Sequence, residues 1–375
     1  MSAPQGPSLA RSYSAVGLNL VDPGLDASVR SSLVAIEERL HAAVTSADPF
    51  VADTARHLVD AGGKRFRPLL VTLAARLGDH PDAPEVTDAA VVVELTHLAT
   101  LYHDDVMDEA AVRRGAPSAN SRWTNTIAIL TGDYLFARAS DVVAELGPEA
   151  VRIQARTFSR LVEGQIRETA GPRPGEDPIE HYQHVIREKT GSLIATSARF
   201  GGMFSGAAPE TVEALTRYGE LIGIAFQLSD DILDIASDSQ ESGKTPGTDL
   251  REGIATLPVL YALGTDDPVG HRLRQILTGV DGPEGSSLPN GPVRHRPDGF
   301  SPERPGSSGT AGQLTDDSLV SEALRLLRSS AAMCRARETL REYAESARSA
   351  LSGLPDRPAR TALESLCGYV VQRTG

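Results

Sequence analysis

The sequence predicts an all-α fold on three observations. Apolar residues recur at helical spacing along nearly the whole chain, no segment alternates apolar and polar residues as a strand would, and prolines and glycines fall where helices should begin and end. After a polar tail over residues 1–25, "VRSSLVAIEERLHAAV" reads as the first helix. Pro68 suits the first turn of "RPLLVTLAARLG", which Gly78 should stop. Thr87 suits an N-cap ahead of Asp88 for "TDAAVVVELTHLATLYHDDV", with Gly115 beyond its end. "WTNTIAILTGDYLFARASDVVAEL" should stop at Gly147, and Pro209 opens "PETVEALTRYGELIGIAFQLSDDILDIA". A later helix should stop at Gly264. Gly, Pro and Ser fill 18 of the 32 positions in 281–312, a composition that predicts a disordered insertion within one domain spanning 26–375. Helical spacing then resumes at "DDSLVSEALRLLRSSAAMC" and runs to the end, giving about a dozen helices.

Composition narrows the function. Of 375 residues, 37 are Lys or Arg and 50 are Asp or Glu, so the net charge of −13 argues against a nucleic-acid surface. Two cysteines, Cys334 and Cys367, match no metal-ligand spacing and suit a reducing, cytoplasmic setting, both read as buried packing residues. The N-terminus lacks the charged start and apolar core of a signal peptide. Glu94, Thr96 and His97, or Gln227 and Ser229, interrupt the longest apolar runs. Any membrane contact would therefore be peripheral.

Two short stretches carry the chemistry. "LYHDDVMDEAAVRRG" sets Asp104, Asp105 and Asp108 after a long apolar run, and "FQLSDDILDI" repeats the spacing with Asp230, Asp231 and Asp234. On a helix, Asp104 and Asp108 share a face, as do Asp230 and Asp234, so each pair forms a two-point carboxylate clamp. Below Asp230 the same face holds Phe226, Gly223 and Gly219, not the polar residues of a solvated stripe. Converging carboxylates need cations, and hard oxygen ligands without thiolates favour Mg²⁺ completed by phosphate oxygens. The motif pair implies metal plus diphosphate.

Basic residues supply the complementary charge. "GGKRFRP" puts Lys64 and Arg67 at the start of a helix begun by Pro68, where unpaired backbone N–H groups already favour an anion. His97 precedes Asp104 by seven residues, two turns along one face. Arg113 and Arg114 follow the first motif.

Taken together, "GGKRFRP", "ELTHLATLYHDDVMDEAAVRRG", "REKTGSLIATSARFGG", "GIAFQLSDDILD" and "GKTPGTDLREGIATLP" resemble, in order and spacing, the trans-isoprenyl diphosphate synthases, or polyprenyl synthetases. The likeness runs from about residue 30 to 265. It implies a helical bundle around a central cavity, in which the two Asp motifs hold Mg²⁺ on the diphosphate of an allylic substrate. It places Lys64, Arg67, His97 and Arg114 on isopentenyl diphosphate. Arg113, Lys189, Thr190, Gln227 and Lys244 fall around the allylic diphosphate and the reacting carbons, and Lys189 and Lys244 join Asp104, Asp108 and Asp230 in catalysis. A homodimer is implied too. The chain departs from the family at Thr248, where many relatives carry a second lysine, and at Ile254 or Ala255, where another basic residue is common.

Product length should depend on the wall beneath the first motif. Helical geometry nominates Thr100, about 40° from Asp104, while the resemblance points to Ala99, where short-chain relatives carry an aromatic plug. Both are small, and Gly219 and Gly223 should leave further room, so a long all-trans product, such as a quinone side chain, is the expectation. Other classes fit less well. A di-iron bundle would need a second Glu-x-x-His beside Glu94 and His97, and "EHYQH" has the wrong spacing. A terpene cyclase needs no Lys64, Arg67 and His97, and a non-catalytic synthase subunit could have lost the Asp motifs.

Overall fold

In a computed structural model of the chain, residues 20–237, 246–278 and 316–374 are described. The expected insertion at 281–312 and Lys244 lie outside them. The described residues are mostly helical and group into two compact units. The first comprises residues up to 159, 192–220 and 346–369; the second comprises 160–191, 221–345 and the residues from 370 on.

Helix α1 (Pro23–Ala43) starts two residues before the expected end of the tail, because Asp22 caps it by accepting from the Leu25 N–H at 2.7 Å. Helices α2 (Pro49–Asp60), α3 (Phe66–Ala75) and α4 (Pro84–Met107) follow. Pro68 is the third residue of α3 rather than its first. Thr87 is not a cap either: Pro84 opens α4 behind Ala83, since proline at the first position sacrifices no helical hydrogen bond. Thirteen α4 residues are buried, among them Val91, Val92, Leu95, Leu98 and Ala99, so this helix is apolar on all sides and forms the centre of the first unit. Around it pack α1, α3, α6 (Asn125–Glu145) and α9 (Ser192–Phe204). Tyr102, fully buried, donates to the Thr54 carbonyl at 2.6 Å and accepts from the Leu58 N–H at 3.2 Å, which fixes the rotation of α4 just before its aspartates.

Gly115 does not stop a helix. Residues Val112–Arg113 (β1) and Ala116–Pro117 (β2) pair as a small antiparallel hairpin. Its two turn residues, Arg114 and Gly115, have φ of 54° and 77°, the type I′ geometry that matches the strand twist. α5 (Ala119–Arg122) completes the connection to α6. Gly78, Gly147 and Gly264 do follow helix ends, as read.

Four helices contribute residues to both units: α7 (Pro148–Ala170), α10 (Pro209–Ala236), α15 (Ala331–Ala350) and α16 (Pro358–Gln372). In the second unit α8 (Pro178–Ile186) runs into a π-helical turn, Arg187–Gly191. α11 (Thr248–Glu252), α12 (Leu257–Leu263), α13 (Pro268–Thr278), α14 (Asp317–Arg328) and most of α15 (Ala331–Ala350) supply the rest. α16 (Pro358–Gln372) ends the chain's helices. Gly219 gives no open space: a Cβ there would lie 2.7 Å from the Ala195 Cα, so the glycine serves close contact of α10 with α9. Of the cysteines Cys367 is buried, whereas Cys334 is exposed on α15, against expectation.

Candidate active site

The first unit assembles a cluster of cations around one histidine. The loop "GGKR" enters α3 through Arg65, which takes the left-handed conformation at φ 47° and is buried. Its guanidinium binds Glu37 at 2.7 and 2.9 Å and Glu94 at 3.0 Å, and donates to the Val59 carbonyl at 2.9 Å. Burial opposes its charge, but the two glutamates more than offset this and hold its pKa above the ordinary value. Arg65 was absent from the sequence-derived residues. It is a structural post, and it consumes Glu94, which removes the Glu-x-x-His reading of Glu94 and His97.

Arg67, one position inside the helix, is different. Its Nε is buried without a hydrogen-bond partner, and burial first, then Arg114, pull its pKa down to about 10 against the pull of Glu94. Arg114 reaches back from the hairpin to the carbonyls of Leu58, at 3.1 Å, and Gly62. Only glycine fits at 63, because a Cβ there would meet the Arg114 Cζ at 2.7 Å and φ is 141°. His97 is half-buried on α4. Burial, and then Arg67, Arg114, Arg65 and Arg113, hold its pKa well below the usual histidine value, so the imidazole is neutral. Lys64 is exposed at the loop. A half-buried arginine with a buried, orphaned Nε, a second arginine and a neutral imidazole thus lie together in the first unit, and Lys64 stands at the entry to α3.

The first Asp motif closes α4. Asp104 is half-buried, and Asp108 is exposed as the helix C-cap, its N–H bonded to the Asp104 carbonyl at 2.7 Å. Asp105, expected among the metal ligands, is the buried member of the motif. Its carboxylate is fully buried, its Oδ1 lies 2.5 Å from the Arg113 Nε, and its Oδ2 is buried without a partner. It anchors the hairpin that carries Arg114. Arg113, expected near the allylic diphosphate, pairs with Asp105 here. Ala99 and Thr100 differ as well: Ala99 is fully buried with its carbonyl 3.1 Å from where a Cβ of Gly132 would sit, whereas Thr100 is half-buried and donates to the His97 carbonyl at 2.8 Å.

The second unit builds the other motif. Asp230 is exposed and pairs with Arg373 at 2.7 Å. Arg373 is itself held by the Ser229 hydroxyl at 2.6 Å, the Phe226 carbonyl at 3.0 Å and the Phe226 ring, 4.3 Å from its Cζ. Asp231 is buried between the Tyr182 hydroxyl and Gln227, whose Nε2 donates at 2.9 Å. Asp234 accepts from the N–H groups of Thr248 at 3.1 Å and Asp249 at 3.2 Å, and so caps α11. Gln227 also accepts from Thr190 at 3.1 Å, and Lys189 donates to Glu168. Arg373, Tyr182 and Glu168 were not found from the sequence. Nothing local to "QRTG" marks Arg373, and Tyr182 and Glu168 have no spacing signal toward the motifs they touch.

Burial pushes Asp231 up to about 7, more than its bonds to Tyr182 and Gln227 lower it. An unfolded aspartate titrates near 4. Between about pH 4 and 7 the folded chain therefore binds more protons than the unfolded one at this site, and stability falls as pH rises through that window. In chelator, the melting temperature of wild type relative to Asp231→Asn should thus decline from pH 5 to 7.5. A difference that is flat or rising with pH refutes the assignment.

Among the described residues no three or more His, Cys, Asp or Glu side chains converge tightly enough to hold an ion alone. Carboxylate clamps of two, without thiolates, fit a small hard cation that keeps waters and takes phosphate oxygens, not a closed protein cage.

Comparisons place this geometry. The sequence model of the polyprenyl synthetase family matches residues 48–286. The nonaprenyl diphosphate synthase of Mycobacterium tuberculosis is 51% identical over 359 residues, 96% of this chain and 97% of that protein. The octaprenyl diphosphate synthase of Escherichia coli is 32% identical over 84% of this chain and 88% of its own. Among solved structures, a geranylgeranyl pyrophosphate synthase from Corynebacterium glutamicum, complexed with calcium and isoprenyl diphosphate, matches with a TM-score of 0.78 at 45% identity, covering 96% of this chain and all of that one. A decaprenyl diphosphate synthase from Rhodobacter capsulatus matches with a TM-score of 0.77 at 32% identity, over 94% and 98%. With its arginines gathered around His97 and two Asp motifs on α4 and α10, the chain belongs to the polyprenyl synthetase family, the trans-isoprenyl diphosphate synthases.

Proposed function

We propose that this chain condenses an allylic diphosphate with successive isopentenyl diphosphates to make a long-chain all-trans polyprenyl diphosphate, with Mg²⁺ on its Asp motifs. The observation that carries the reading is the orphaned, buried Nε of Arg67 beside the neutral His97 on α4, two turns from Asp104. Arg67, Arg114 and His97, with Lys64 at the rim, bind the diphosphate of isopentenyl diphosphate. Glu94 is shared between Arg65, at 3.0 Å, and Arg114, at 3.9 Å, so it offsets only part of the positive charge gathered there. Asp104 and Asp108, with Asp230 and Asp234, would hold Mg²⁺, and Asp231 reinforces the second motif through Gln227. The bound metal stabilises charge on the departing pyrophosphate. Lys189 leaves Glu168 for the allylic diphosphate, where its charge counts most as the carbon–oxygen bond breaks. Lys244 is proposed beside it. The double bond of isopentenyl diphosphate then attacks the allylic cation, and pyrophosphate takes the proton.

No helix among the described residues is long and apolar enough to cross a membrane. We place the enzyme in the cytoplasm, with at most peripheral membrane contact on product release and a quinone side chain as the product's destination. A homodimer is supported by α7, whose exposed Val151, Val162 and Ile166 share one face. The test is incubation with isopentenyl diphosphate, Mg²⁺ and geranyl, farnesyl or geranylgeranyl diphosphate, followed by chromatography of the dephosphorylated products. Products of seven or more isoprene units support the reading. Arrest at farnesyl or geranylgeranyl diphosphate overturns the long-chain part, and absence of condensation overturns the whole.

A further inference from the structure

The π-helical turn Arg187–Gly191 carries Lys189 and Thr190, and one face of α7 grips it within the second unit. Arg160, Gly164 and Glu168 are spaced by four, so they form one stripe along α7. At its start Arg160 binds Glu188 with both nitrogens, Nε to Oε2 at 2.5 Å and Nη2 to Oε1 at 3.0 Å. The Glu188 side chain is only 12% exposed. In the middle, a Cβ on Gly164 would lie 2.7 Å from the Lys189 nitrogen and 3.1 Å from its Cα, so the turn's backbone rests directly on the helix. At the far end Glu168 accepts from Lys189, and on the opposite side Thr190 donates to Gln227.

A π-turn inserts one residue beyond α-helical spacing and persists only where its surroundings determine it, often at functional sites. Losing it would turn each following side chain by roughly 100° about the helix axis. Lys189 and Thr190 would then leave their present directions. The bidentate Arg160–Glu188 pair holds the turn without using the side chain of Lys189 or Thr190 themselves, or one from either Asp motif.

We propose that Arg160, acting through Glu188, is a positioning residue for the allylic diphosphate: the pair locks the π-turn in the register that presents Lys189 and Thr190. The inference rests on the assignment of those two residues to the allylic substrate.

The experiment compares wild type, Arg160→Ala, Glu188→Ala and the charge swap Arg160→Glu with Glu188→Arg. Each is read by steady-state kinetics in both substrates and by hydrogen exchange of amides 187–191. Each single variant should raise KM for the allylic diphosphate about tenfold, as loss of an orienting partner usually does. KM for isopentenyl diphosphate should stay within about twofold, and the swap should recover most of the loss. Exchange across 187–191 should quicken in both singles and slow again in the swap. An unchanged allylic KM, an equal rise for both substrates, or no recovery in the swap overturns the proposal. Should wild type catalyse no condensation, the functional assignment fails by itself. The register lock is then judged by exchange alone, and amides 187–191 that are indifferent to the pair overturn it.

Discussion

Asp104→Ala and Asp230→Ala should each lower turnover by on the order of a thousandfold or more, because each removes a carboxylate that neutralises charge built up mainly as pyrophosphate leaves. Stability should hardly change. Asp104 is half-buried at the last turn of α4, and Asp230 is exposed, so neither substitution opens a core cavity. When Asp230 is gone, Arg373 keeps its bonds to Ser229 and to the Phe226 carbonyl, and it still lies over the Phe226 ring. Melting temperatures within about 3 °C of wild type, with turnover lost, would separate chemistry from folding. Asp105→Ala is the contrast: it empties a fully buried position and takes the partner from half-buried Arg113, so it should lower stability as well as activity. Near-normal turnover of both Asp104→Ala and Asp230→Ala with Mg²⁺ present would refute the metal-clamp reading.

The second large effect concerns product length. Thr100→Phe should shorten the product by one or more isoprene units while condensation continues, since one helical turn rises about 5.4 Å, comparable to an extended unit. Thr100 lies one turn before Asp104, and both are half-buried. Ala99→Tyr is expected to shorten the product too, but the site differs. Ala99 has no exposure, so a tyrosine there must displace packed neighbours and should cost about 1–3 kcal/mol of stability. Thr100→Phe is therefore the cleaner probe, with chromatography of dephosphorylated products beside a thermal melt. If both variants leave the product distribution unchanged, the chain does not grow past this wall. Since Gly219 is closed off by Ala195, the room for a long product does not lie beside it.

What was legible in the sequence was whatever repeats locally. The period of apolar residues gave the helices, whereas the central place of α4 came from its burial in the structure. The aspartate spacing gave the two motifs, which the fold does place on helices α4 and α10. Partners distant in sequence were not legible. Arg65 looked like one more basic residue of a short run, yet Glu37 and Glu94, 28 and 29 positions away, make it structural. Arg113 and Asp105 looked like substrate and metal groups, and their mutual pairing depends on a hairpin whose arginine turn residue adopts positive φ, a conformation that sequence rarely announces for arginine. The π-turn has no composition of its own, so the register of Lys189 and Thr190 required tertiary contacts with α7. Thr87 failed as a cap because Pro84 outcompeted it one turn earlier.

The pairing of Asp230 with Arg373 also orders events during synthesis. Ser229 donates to the Val370 carbonyl, 141 positions on, and accepts from Arg373, 144 positions on. A ribosome emitting roughly 5–20 residues per second would need at least several seconds to travel from one partner to the other. Throughout that interval the nascent second motif carries its aspartates without the arginine that later balances Asp230, while the first unit's α4 already has α1 to α3 to pack against. The second motif thus acquires this partner only after α16 has been made.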